Sequence, residues 1–308
     1  MERTLLPGAA QLVEQAAAGE TATQLRARRQ YIKSDRFVSY GLALEHLDRL
    51  EDLLESPKTA RPDNLALVGE TNSGKTGLLA HFITTRAAPV DNPNEAAARI
   101  PALYVLMRGD VDEDRIYHWI LERLFAPYKE KDRQDKKFRM VAELFERLSI
   151  QMLILDEFHH ILGVTGARQR RCLNVVKTLT SELQIPVVIS GTPEVLPLLR
   201  TDPQIHNRFE AVTLPRWTYT LEFRQFLAGL EVDLPLLHVS NLGGAAVSRR
   251  VYDLSEGLLG EAVKLLRRAA VQAVGGAEKI TLEGIEALNA VPPSLRHAEA
   301  EKVLYRRG

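Results

Sequence analysis

Gly69-Glu70-Thr71-Asn72-Ser73-Gly74-Lys75-Thr76 matches G-x-x-x-x-G-K-[ST] and directly follows the apolar run Leu65-Ala66-Leu67-Val68. Glycines at both ends let the backbone wrap around phosphate oxygens, so that successive N–H groups and the start of the next helix face the anion. In that arrangement Lys75 reaches the β- and γ-phosphates of a nucleotide, and Thr76 offers its hydroxyl to Mg2+. The pattern predicts a strand at 64–68, a phosphate loop and a helix over 75–87.

Working outward, Pro101–Met107, Gln151–Asp156 and Pro186–Ser190 read as further buried strands, with Ala211–Pro215 a weaker fifth. Helical spacing over 75–87, 113–126, 136–149 and 169–183 separates the first four. Buried strands alternating with helices indicate an α/β fold with a mainly parallel sheet. Residues 39–55 place Leu42, Leu47, Leu50 and Leu54 at helical spacing, with Ser39 a candidate N-cap. After Pro215 the segments 218–230, 243–255, 258–273 and 281–288 all read as helices. The domain reading is an N-terminal arm over 1–36, an α/β nucleotide-binding domain over 37–217, a helical lid over 218–295 and a basic tail over 296–308.

The run Met152-Leu153-Ile154-Leu155 ends in Asp156-Glu157. Behind a phosphate loop, Asp156 is the acid that holds Mg2+ through its water shell, and Glu157 the carboxylate that polarises an attacking water. The strand at 101–107 lies between the two motifs in sequence, which favours P-loop proteins with an extra strand and a catalytic glutamate. Those are mostly ATPases that move, remodel or assemble on something; kinases and G proteins mostly lack the arrangement. The strand at 186–190 runs into Gly191-Thr192. A polar residue at this tip touches the γ-phosphate or the attacking water, Thr192 being the first candidate and Ser190 the second; a helix N-cap is the alternative for either. In Asn207-Arg208-Phe209-Glu210, Arg208 is placed to act as an arginine finger on a neighbouring subunit's γ-phosphate, with a surface salt bridge as the alternative.

In this order the motifs resemble those of AAA+ ATPases, and more closely the transposition ATPases of the TniB, TnsC and MuB kind, TniB closest. The likeness rests on Asp35-Arg36-Phe37-Val38-Ser39-Tyr40, Gly69 to Thr76, Leu155-Asp156-Glu157-Phe158-His159, Gly191-Thr192 and Asn207 to Glu210. It implies a P-loop AAA+ sheet sandwiched by helices, with ATP and Mg2+ as cofactors. It also implies a DNA-binding regulator that forms a ring or helical filament of its own copies on double-stranded DNA and directs a DDE transposase, with a target-selection protein as a further partner. Val38 and Tyr40 would border the adenine, with core packing an equal alternative. One departure stands out: where AAA+ lids often carry a sensor arginine, this chain has Gly260-Glu261-Ala262-Val263, and Lys264, Arg267 and Arg268 follow on different helical faces. The missing arginine fits slow, regulatory hydrolysis.

The 308 residues carry 40 Lys+Arg against 40 Asp+Glu, which at first disfavours a nucleic-acid partner. Bases nevertheless cluster: Arg26, Arg28, Arg29, Lys33 and Arg36 stand against Asp35 alone over 24–36, and Arg168, Arg170, Arg171 and Lys177 stand without an acid over 164–177. Lys129, Lys131, Lys136, Lys137, Arg168, Arg170 and Arg171 are the candidate phosphate contacts, a solvated basic face being the alternative. With such a charge balance, tight DNA binding is expected to need the ATP-bound assembly. The single cysteine, Cys172, excludes a disulfide framework. No Cys/His spacing resembles a zinc site, and His159 and His160 read as packing or hydrogen-bonding residues. No apolar run is long enough for a membrane span, and Glu14 and Glu20 interrupt the N-terminal Ala-rich stretch, so a cytoplasmic protein is expected. Three other readings compete: a D-E-x-H helicase, which would need a second RecA-like module; an AAA+ helicase loader; and a P-loop signalling or assembly switch not acting on DNA.

Overall fold

Asn64–Gly69 is buried along its whole length in the computed structural model, which describes residues 5–90 and 98–305. In chain order the elements are α1 (Pro7–Ala17), α2 (Ala22–Lys33), α3 (Gly41–Glu55), β1 (Asn64–Gly69), α4 (Lys75–Thr85), β2 (Ala102–Leu106), α5 (Glu113–Arg123) and α6 (Gln134–Arg147). Then follow β3 (Met152–Asp156), a 3-10 helix (Phe158–Gly163), α7 (Gly166–Leu183), β4 (Val187–Gly191), α8 (Val195–Arg200), α9 (Pro203–His206) and β5 (Phe209–Leu214). The chain ends in α10 (Leu221–Glu231), α11 (Ala245–Ser255), α12 (Leu259–Ala273), α13 (Leu282–Glu286), a short 3-10 turn and α14 (Arg296–Tyr305). They build two units, one from Gly41–Pro215 and one from the residues up to Tyr40 together with those from Arg216 onward.

The first unit is organised by a parallel sheet in the order β2-β3-β4-β1-β5. β1, β3 and β4 are buried throughout because helices cover both faces, which is why each reads as an unbroken apolar run. β5, at the edge, buries only Phe209 and Leu214 fully and exposes Glu210, Ala211 and Thr213, which explains its weaker signature. α7 buries Cys172, Leu173, Val175, Val176, Leu179 and Leu183 along one face, each apolar side chain of this size stabilising by roughly 1.5–3 kcal/mol. Asp112 caps α5 by accepting the Arg115 N–H at 2.7 Å. The strand lying between β1 and β3 in space is β4; β2, between them in sequence, is displaced to the sheet edge.

The second unit departs from the predicted domain plan. Residues 1–36 read as an arm, yet α1 and α2 belong to the same unit as the C-terminal helices. Ile32 is buried in one cluster with Phe223, Leu227, Leu266 and Ile285. Arg28, 1% exposed, donates to the Pro235 carbonyl from Nε at 3.0 Å and Nη2 at 2.8 Å, to Glu20 at 2.8 Å, and pairs with Glu278. Arg36 donates to Asp233 at 2.6 Å. The arginines that give 24–36 its basic look are thus partly consumed within this unit, through contacts some two hundred residues away in sequence. The last residues of the predicted basic tail, 306–308, lie outside the described residues.

Candidate nucleotide-binding site

The loop between β1 and α4 is shaped by residues with little steric choice. A side chain on Gly69 would put Cβ 2.5 Å from Ser73 Oγ and 2.6 Å from the Leu214 carbonyl, so only glycine fits. Asn72 and Gly74 hold φ of 64° and 100°, and Ser73 N–H donates to Glu70 O at 3.1 Å to close the turn. Lys75, 6% exposed, directs Nζ into the loop, donating to Gly69 O at 2.7 Å and Glu70 O at 2.8 Å. Burial pulls its ammonium below the ordinary 10.5, with Glu157, Asp156 and Glu70 opposing. Thr71, Asn72 and Thr76 are exposed, while Ser73 is buried.

Asp156 ends β3 with 0% exposure and every oxygen engaged. Its Oδ2 accepts from Thr76 Oγ1 at 2.9 Å and from the Tyr104 hydroxyl at 2.7 Å, and its Oδ1 accepts from Glu157 N–H at 2.8 Å. The fold therefore brings Thr76 and Asp156 together across 80 residues of sequence. A hydroxyl and a carboxylate are hard oxygen donors of the kind Mg2+ takes, and the glycine-lined cradle suits phosphate oxygens. Tyr104, on the neighbouring strand β2, has no signal in the sequence beyond its place in an apolar run; only strand order reveals its contact with Asp156. Desolvation and the bond to Asp156 raise its phenol well above the ordinary 10.0.

Glu157 follows in a left-handed conformation, φ 58° and ψ 36°. Its side chain is half-buried, with Oε2 at 3.2 Å from His159 Nδ1. At the tip of β4, Ser190 is fully buried and its Oγ has no hydrogen-bond partner among the described residues. Thr192 is half-buried and its hydroxyl bonds Glu194, holding that carboxyl below its usual range.

Arg208 lies elsewhere. In the β1–β5 register Asn64 stands opposite Phe209 and Gly69 opposite Leu214, so Arg208 precedes the strand at the end of the sheet opposite the phosphate loop. Five residues of strand separate the two ends by about 17 Å. Its Nη1 donates to Ser181 Oγ at 2.9 Å. Val38 and Tyr40 belong to the helical unit, where Tyr40 meets Trp217 edge-on at 4.9 Å and Phe226 at 5.8 Å, and Val38 packs in the same cluster. Burial pushes the Tyr40 phenol up to about 12.

The candidate phosphate contacts divide. Lys137 is corrected: it is 0% exposed, with Nζ donating to Glu130 O at 2.8 Å beside Asp114 at 3.4 Å, and offers no surface to DNA. Its aliphatic stem lies on the buried face of α6 with Val141 and Phe145. Lys136 and Arg171 are exposed but paired, with Asp132 at 2.9 Å and Glu113 at 2.8 Å. Lys129, Lys131, Arg168 and Arg170 are exposed, and the two arginines stand in the first turns of α7 without an ion pair among the described residues. In the place of the missing sensor arginine, Glu261 is buried and pairs with Arg296 from α14.

A parallel sheet in this order, with the phosphate loop after β1 and the acid pair after β3, defines a P-loop protein of the AAA+ class. The family described as "Bacterial TniB protein" matches residues 28–219, more than half of the chain, and the chain belongs to that family. The fold is similar to that of the Aeropyrum pernix ORC1 protein, solved in complex with DNA, at TM-score 0.60 and 20% identity, covering 85% of this chain and 68% of that one. It is similar also to Cdc6p from Pyrobaculum aerophilum, at TM-score 0.58 and 16% identity over 84% and 70% of the two chains. The Aeropyrum pernix ORC2 protein, solved as ADPNP–ADP complexes, aligns at TM-score 0.58 and 15% identity over 83% and 70%. A comparison with curated protein sequences finds no match. No helix among the described residues is long and apolar enough to cross a membrane.

Proposed function

We propose that this chain binds and slowly hydrolyses ATP with Mg2+, assembles in its ATP form on double-stranded DNA, and in that state recruits or activates a DDE transposase in the cytoplasm. The observation that carries the reading is the Thr76–Asp156–Glu157 arrangement at a phosphate loop in a chain of the TniB family. Mg2+ when bound would neutralise charge on the β- and γ-phosphates. Glycine-loop N–H groups from 69–76 and Lys75 would hold the phosphates, and Thr76 and Asp156 the metal. Glu157 would take a proton from the attacking water on a carboxylate oxygen, and Thr192 would orient that water or the γ-phosphate. Arg208 would serve the site of a neighbouring copy, since the sheet register sets it far from the phosphate loop of its own chain.

A DNA role draws support from the family, from the DNA-bound relative in fold, and from the exposed Lys129, Lys131, Arg168 and Arg170. The test is electron microscopy of the chain with duplex DNA, with and without ATP, beside binding measured over a salt series. ATP-dependent assemblies on DNA are expected, with affinity falling steeply in salt and the slope reduced by about 1 for each phosphate-contacting base removed, Arg168→Ala and Arg170→Ala being the variants to try. Assemblies that form equally without DNA would instead favour a P-loop assembly switch, a reading supported by the burial of Lys137 and the pairing of Lys136 and Arg171. Capture of a replicative helicase in place of a transposase would favour a helicase loader.

A further inference from the structure

We propose that Glu157, His159 and His160 form a binding site for a borderline transition-metal dication, Zn2+ being the type, and that filling it withdraws Glu157 from hydrolysis. One ligand atom from each of the three lies within 4.8 Å of the others, and all three residues are half-buried. Glu157 takes a positive φ straight after β3, and in the tight 3-10 turn that follows the two imidazoles stack at 4.9 Å and 21°.

The geometry at His159 is what points to a metal rather than a hydrogen bond. Its Nδ1 is buried and has no hydrogen-bond partner among the described residues, although Glu157 Oε2 stands 3.2 Å away. The atoms are near but not aligned for N–H···O. Two ligands each about 2.0–2.1 Å from a tetrahedral Zn2+ are themselves separated by roughly 3.3 Å, the separation found here. His160 brings a third ligand atom within 4.8 Å of the other two, giving three protein ligands and leaving a fourth position for water. Two imidazoles and one carboxylate suit Zn2+, Co2+ or Ni2+, whereas Mg2+ takes oxygen donors such as Thr76 and Asp156. The two sites share no donor, so raising Mg2+ would not relieve inhibition by Zn2+. Ligation of Zn2+ draws charge from the Glu157 carboxylate and lowers its basicity, so the ligated group is a poor acceptor of a proton from water.

Ion binding stands on the donor set alone, while its effect on hydrolysis rests on the ATPase reading above. The experiment uses the full chain without an affinity tag. Co2+ titrated into nucleotide-free protein is expected to give the visible absorption of a tetrahedral ion, displaced by Zn2+. Glu157→Gln is expected to weaken Co2+ binding by at least about tenfold, and His159→Ala with His160→Ala to abolish the band. Circular dichroism checks that the variants fold, and His159→Gln serves if the alanine variant does not. Absence of the band in the wild-type chain, or an unchanged band and affinity in folded variants, would overturn the site. ATP turnover, followed in parallel with excess Mg2+, is expected to fall on adding Zn2+ and return with a zinc-selective chelator; undiminished turnover by the metal-loaded chain would overturn the inhibition. A chain that binds Co2+ as described but never turns over ATP would sink the ATPase reading and leave the metal site standing.

Discussion

At the residue scale the proposed roles divide into groups that would bind and groups that would react. Glu157→Gln keeps the size and the left-handed backbone but removes the carboxylate proposed to accept the proton. Turnover is expected to fall by about 10²–10⁴-fold in single-turnover assays, with ATP affinity retained. Equal losses in affinity and rate would mean that Glu157 supports binding instead. Tyr104 stands one step behind the proposed metal donors, its hydroxyl sharing Asp156 Oδ2 with Thr76. Tyr104→Phe removes one donor to a fully buried carboxylate, and the Mg2+ concentration needed for half-maximal ATP binding is expected to rise by about tenfold. An unchanged Mg2+ requirement would reduce Tyr104 to packing. The lysine, glycines and acid pair were legible in the sequence because their spacing is local. Tyr104 was not, because its partner lies on another strand.

At the scale of elements, α2 is held to the C-terminal helices by a charge that cannot be left alone. Arg28 lies between Glu20, Glu278 and the Pro235 carbonyl, and removing one partner of such a buried pair costs about 3–5 kcal/mol. Burial works to raise the Glu278 carboxyl, but hydrogen bonds from Arg28 and the Gly275 N–H, together with the Arg28 charge, outweigh it and hold it below the ordinary 4.5. A depressed carboxylate contributes stability above its ordinary value and loses it as pH falls through the lower, folded-state value. The Tm of the wild-type chain is therefore expected to drop as pH is lowered from about 4.5, and Glu278→Gln to lower Tm at neutral pH while flattening that acid dependence. Parallel Tm curves would show that Glu278 is not the linked group. The helical character of residues 22–33 is local, but their docking is not: Arg28 meets Glu278 across 250 positions.

At the scale of the whole molecule, one chain carries an incomplete site if Arg208 acts in trans. The β1–β5 register keeps Arg208 away from its own phosphate loop. Arg208→Ala is expected to leave nucleotide binding by dilute protein unchanged and to lower turnover in the assembled state by about 10³-fold. Mixing it with Lys75→Ala should restore part of the activity, because each variant supplies what the other lacks. No recovery on mixing would remove the inter-subunit role. The neutral 40 against 40 reads differently once folded: Arg28 and Arg36 of the 24–36 run, and Lys136, Lys137 and Arg171 of the candidate phosphate contacts, are tied to carboxylates, which leaves Lys129, Lys131, Arg168 and Arg170 as the exposed candidates outside those pairs.

The sequence by itself determined the phosphate loop, the acid pair, the alternation of buried strands and helices, and the family resemblance, because each is written in neighbouring residues or in a period of two or 3.6. Tertiary structure alone decided that β4 separates the two motif strands, that Tyr104 meets Asp156, that residues 7–33 join the C-terminal helices, and that Lys137 is buried. Those facts depend on strand order and long-range pairing. Burial cannot be read from a lysine's place in a basic run, and a buried arginine looks like any other until its distant carboxylate is found.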